Sequence, residues 1–134
     1  HQKTKIIWAH AGLGRVIRPV NNQMQIVERM LNDKNFRHVY FDISWDEVAK
    51  YMNEKTDGPE VVARLINKYS TRFLFGTDVV APKTKEDYFK VFSLYGPLWN
   101  LLTPEASENL RFKNYNRLFD EARKRVREWE KKNT

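Results

Sequence analysis

Three stretches of the chain carry apolar residues straight into a small polar cluster: 6–12 (IIWAHAG), 38–44 (HVYFDIS) and 72–78 (RFLFGTD). Parallel strands buried on both faces read as such runs, and α/β enzymes place their chemistry at the carboxyl ends of those strands. Between the runs the pattern changes period. Val20, Met24, Val27 and Leu31 recur at spacings of four, three and four, which predicts a helix ended by the polar stretch 32–35. In the second run Val39, Phe41 and Ile43 alternate with His38, Tyr40 and Asp42, and Tyr40 is large enough to be buried as well. Residues 45–52 then predict a short helix capped by Ser44, with Asp46 and Glu47 favouring the dipole of its first turn.

Asp57-Gly58-Pro59 is a turn signal that opens a helix carrying Val61, Val62, Leu65, Ile66 and Tyr69 on one face, and the third strand (Phe73, Leu74, Phe75) follows directly. From Thr84 onward the pattern stays helical, with a break expected at Gly96-Pro97 and a new start at Thr103-Pro104. Tyr115, Leu118, Phe119, Ala122, Val126 and Trp129 then hold helical spacing to the end. Strand, helix, strand, helix, strand with short connections predicts right-handed crossovers, a parallel sheet and an α/β fold. We expect a single domain over 1–134, with about three parallel strands, flanking helices and carboxyl-terminal helices. Such a sheet leaves two unpaired edges, which predicts assembly through them.

Length and charge narrow the classes. At 134 residues, the chain is shorter than the roughly 250 residues a closed (β/α)8 barrel needs. No apolar stretch is long enough to cross a membrane, and the amino terminus lacks the apolar core of a signal peptide. The absence of cysteine removes disulfides, thiol nucleophiles and cysteine-ligated zinc, in keeping with a cytoplasmic location. The net charge of +7 raises the question of nucleic acid. The basic residues of the last helix, however, are interleaved with Asp120, Glu121, Glu128 and Glu130, the pattern of a solvated face.

If the strands are parallel, His10, Asp42, Ser44 and Asp78 gather at one end of the sheet. Imidazole and carboxylate are the usual ligands for a divalent ion when cysteine is absent, although strand-end His and Asp also serve as structural hydrogen-bonders. Gly12-x-Gly14 suggests a dinucleotide fold, but the third glycine of that fingerprint would fall on β-branched Ile17.

The succession WAHAGLGR, VYFDIS, FLFGTD and SENLRFKNYNRLF resembles the carboxyl-terminal half of the metal-dependent amidohydrolase superfamily. The similar branch is the amidohydrolase-related TIM barrels, which include metal-dependent hydrolases and carboxylate decarboxylases. There the sixth, seventh and eighth strands end in His-x-Gly, Asp-x-Ser-like and Gly-Thr-Asp or Gly-Ser-Asp motifs. The matching residues here are His10-Ala11-Gly12, Asp42-Ile43-Ser44 and Gly76-Thr77-Asp78, with Asn109 and Leu118-Phe119 in the terminal helix. The resemblance implies a partial (β/α)8 barrel of units six to eight. It also implies a divalent metal, zinc above all, held by Asp78 and His10, which would double as catalytic residues. Arg15 and Arg18, in the loop after His10, would reach an anionic group of a small-molecule substrate. The family's first-strand His-x-His pair and strand-five ligand have no counterpart, and neither His1 nor His38 replaces them. The expectation is a fragment of a hydrolytic or decarboxylating enzyme that is inactive alone. The alternative is a non-catalytic half-barrel that forms homo-oligomers or assembles with a partner.

Overall fold

The computed structural model describes residues 3–13, 22–54 and 58–133. Three strands, β1 (Ile6–Trp8), β2 (Val39–Asp42) and β3 (Phe73–Leu74), form one parallel sheet in the order β1-β2-β3. Helix α1 (Gln23–Asn32) links the first two strands, and α2 (Asp46–Glu54) and α3 (Gly58–Lys68) link the second pair. After β3 come α4 (Lys85–Leu94), α5 (Gly96–Trp99), α6 (Pro104–Glu108), a π-helical turn (Asn109–Lys113) and α7 (Asn114–Asn133). The α/β class and parallel sheet are therefore as expected. Among the described residues no helix is long and apolar enough to cross a membrane.

The register fixes the core. Trp8 pairs with Phe41 and Phe41 with Phe73, so three aromatic rings cross one face of the sheet with centroids 6.0 and 5.9 Å apart. Val27 and Leu31 of α1, Val48 of α2, and Val62, Leu65 and Ile66 of α3 join Val39 and Phe41 in one buried cluster. Burying each such side chain contributes about 1.5–3 kcal/mol. In β2 the expected alternation holds, with Val39, Phe41 and Ile43 buried and His38, Tyr40 and Asp42 partly so. The expected Val20 lies outside the described residues, as does Asp57 of the turn signal. Pro59 sits in the first turn of α3, where its missing N–H costs nothing.

The break expected at Gly96-Pro97 is present: α4 ends at Leu94, and Pro97 lies in the first turn of the separate one-turn helix α5. Three expectations need correction. Ser44 is not the cap of α2: the Trp45 carbonyl accepts the first helical bond, from Ala49, while the Ser44 hydroxyl is engaged by Asp42. β1 is not buried on both faces, since Ile6, Ile7 and Trp8 are 44%, 41% and 38% exposed. On α7 the apolar stripe covers little: Leu118 is buried, but Tyr115, Phe119, Val126 and Trp129 are exposed.

The sheet's two edges also differ. Parallel pairing turns alternate residues toward each neighbour, and Leu74 faces β2 through its bond from the Ile43 N–H. Phe73 therefore directs its carbonyl outward, where the Asn114 side-chain amide donates to it at 2.8 Å. That amide also donates to the Ser70 carbonyl at 2.6 Å, and Asn109 donates to the Ser70 hydroxyl at 2.9 Å. The π turn accounts for this: with i→i+5 winding, Asn109 and Asn114 lie one above the other and reach the same segment. Asn114 is 1% exposed, so its bonds seal the β3 edge from water.

Candidate active site

Left-handed backbone gathers where the strands end. His10 (φ 56°) follows β1, Trp45 (φ 93°) follows β2 and Asp78 (φ 53°) follows β3, each a non-glycine residue in a conformation that costs about 1–3 kcal/mol. Such strain persists only where the surroundings over-determine it, and here the partners are visible. Gln23, buried on α1, donates from its amide to the Ala11 carbonyl at 2.6 Å and holds the turn that carries His10. In the same turn Gly12 has φ +81°, and a Cβ there would lie 2.8 Å from the Trp8 ring.

The loop after β2 is held from below. Tyr95, 1% exposed, aims its hydroxyl at the carbonyls of Ile43 and of Trp45, the latter at 2.7 Å. Burial pushes the Tyr95 phenol far above its ordinary range, and the charges of Asp42 and Asp46 add in the same direction. The phenol therefore stays a neutral donor. Between those two carbonyls lies Ser44, whose own carbonyl faces out toward His10.

His10 Nδ1 lies 3.2 Å from the Ser44 carbonyl and 3.3 Å from its hydroxyl oxygen. A carbonyl only accepts, so Nδ1 carries the proton. The Ser44 hydroxyl donates onward to Asp42, whose other oxygen accepts the Ser44 backbone N–H at 3.1 Å. Nε2 is thereby left as the reactive nitrogen, 3.8 Å from Asp78 Oδ2. That separation is too long for a direct hydrogen bond. Both side chains remain accessible, at 27% and 35% exposure. The Trp45 ring lies 5.1 Å from the imidazole and walls one side.

The structure thus brings together His10, Asp42, Ser44 and Asp78, all of them selected from sequence. The order of bonds differs from a nucleophilic triad. Ser44 gives its proton to Asp42 and not to the imidazole, so it orients the ring and is not activated by it. Arg15 and Arg18 lie outside the described residues. Sequence reasoning missed Tyr95 and Gln23. Tyr95 reaches a loop about 50 positions earlier in the chain, a pairing that no local pattern reveals. Gln23 left one faint sign: it shares spacing with Val27 and Leu31, a polar residue on an apolar stripe.

Compared with protein-family models, with curated proteins and with solved structures, the chain matches none, and its function rests on the chemistry of this site.

Proposed function

We propose that the chain is the carboxyl-terminal portion, units six to eight, of an amidohydrolase-related (β/α)8 barrel enzyme. Its parent would hydrolyse a C–N or C–O bond or remove a carboxylate from a small-molecule substrate. The observation that supports this reading is the convergence of His10 Nε2 and Asp78 Oδ2, 3.8 Å apart, from the ends of β1 and β3. In the proposed role His10 takes or returns a proton at the reacting oxygen. Asp78 stabilises the imidazolium that forms, and Ser44 with Asp42 holds the ring in its Nδ1–H tautomer. Arg15 and Arg18 are proposed to bind an anionic substrate group.

A divalent ion in such an enzyme polarises substrate and acidifies bound water. His10 and Asp78 are donors of the type zinc accepts, but a catalytic zinc takes three protein ligands. Among the described residues no three metal-binding side chains come together. The two donors alone do not make a zinc centre, and the proposal requires further ligands beyond them. Zinc titration by calorimetry should accordingly show weak 1:1 binding that disappears in both His10→Ala and Asp78→Asn, without turnover of amide or ester substrates. Tight zinc binding that survives both substitutions would overturn the assignment.

A second reading, assembly without catalysis, is favoured by the difference between the edges. β3 is sealed by Asn114, whereas β1 exposes all of its residues.

A further inference from the structure

Ile6 donates its N–H to the His38 carbonyl at 2.9 Å, which turns Ile6 and Trp8 toward β2 and the backbone N–H and C=O of Ile7 outward. Among the described residues no side chain covers that edge as Asn114 covers Phe73. Directly beside it, Ile7 lines a groove of about 420 Å³ with Leu118, Phe119 and Ala122 of α7. The rim includes Lys3, Lys5 and Arg125, with no carboxylate among the described lining residues; Glu121 pairs with Lys5 from outside it. An open strand edge, an aliphatic floor and a cationic rim occur within one small patch.

We infer that the β1 edge and the α7 groove are a docking site for an extended, acidic segment of another polypeptide, which adds to the sheet as a fourth strand. The inference rests on the assembly reading and narrows it to one kind of partner. Main-chain bonds to Ile7 supply the register, an apolar side chain enters the groove, and flanking carboxylates meet Lys3 and Arg125. A second copy of the chain fits less well. A two-fold interface sets each patch against itself, so Lys3 and Arg125 would face the same two cations.

The test uses the full chain and a fluorescein-labelled peptide of alternating valine and glutamate. One counterpart replaces glutamate with lysine, and another carries N-methylated peptide bonds that keep the charge but cannot pair as a strand. Binding is followed by fluorescence anisotropy and by amide exchange. The acidic peptide should bind and slow exchange of the Ile7 amide, while both counterparts fail. Arg125→Glu, an exposed helix position, should weaken binding roughly tenfold with an unchanged circular dichroism spectrum. Ile7→Pro, which removes the outward N–H together with the Ile7 side chain that lines the groove, should weaken it further. Equal binding of the N-methylated peptide, or none by the acidic one, overturns the inference. If light scattering shows a dimer whose Ile7 amide is already protected, the assembly reading stands and the acidic partner falls. A monomer that ignores the peptide removes both, and an oligonucleotide that displaces the peptide from the groove also overturns the inference.

Discussion

Replacing Tyr95 with phenylalanine removes one hydroxyl from the middle of the molecule and keeps the ring, whose edge-on contact with Phe75 is 4.9 Å between centroids. The hydroxyl serves two carbonyls, those of Ile43 and Trp45, which flank Ser44. Leaving buried acceptors without their donor costs about 1–3 kcal/mol. For a chain of this size roughly 4 °C of melting temperature corresponds to each kcal/mol, so Tyr95→Phe should melt roughly 4–12 °C lower. The loop it holds contains Trp45 at φ 93°, a conformation that relaxes once the clamp is gone. Relaxation moves the Ser44 carbonyl away from His10 Nδ1 and frees the imidazole to exchange tautomers. Thermal unfolding by circular dichroism gives the first number, and long-range ¹H–¹⁵N correlation of the imidazole gives the second. Tyr115→Phe, at an exposed site, is the control and should fall within about 0.5 kcal/mol of the parent. If Tyr95→Phe melts with the parent, or melts lower while His10 keeps its Nδ1–H form, the proposed coupling between Tyr95 and the site is wrong.

The same residue predicts a pH effect. Burial raises the Tyr95 pKa above its ordinary value near 10, so the folded state keeps a proton that the unfolded state loses. Its contribution is complete below about pH 10 and declines above it by at most about 1.4 kcal/mol per pH unit; urea unfolding between pH 9 and 11 should show this decline in the parent relative to Tyr95→Phe. Asn114→Ala should destabilise by about 2–3 kcal/mol in denaturant titration, since the Phe73 and Ser70 carbonyls lose a common donor. Gly12→Ala combines a left-handed φ of +81° with a Cβ 2.8 Å from the Trp8 ring. It should cost about 1–3 kcal/mol and shift tryptophan fluorescence. In contrast, Lys50→Ala should leave the denaturant midpoint nearly unchanged, because its pairs with Asp46 and Glu47 lie at the surface.

What could be read from the chain follows the range of the interactions. The parallel sheet, the stripes of α1 and α3, the helical start at Thr84 and the Thr103 cap rest on local rules of period and first-turn chemistry. Thr84 even forms a reciprocal box with Asp87. His10, Asp42, Ser44 and Asp78 were also legible, because parallel strands bring their ends together whatever the detail. The sequence failed where a distant partner decides the outcome. Ser44 has the composition of a cap, yet Asp42, two residues earlier, engages its hydroxyl and His10 lies against it. Both sheet edges looked equally open until the π turn brought Asn114 onto β3. The stripe on α7 has the period of a buried face, but period measures amphipathicity and does not say what covers the face.

The central claim is that the ends of β1 and β3 bring His10 and Asp78 into one site. Zinc titration followed by imidazole ¹⁵N shifts tests it most directly. The account predicts that zinc moves His10 Nε2 while Nδ1 keeps its proton, and that Asp78→Asn abolishes the response. A His10 response unchanged in Asp78→Asn, or one confined to His38, would contradict it.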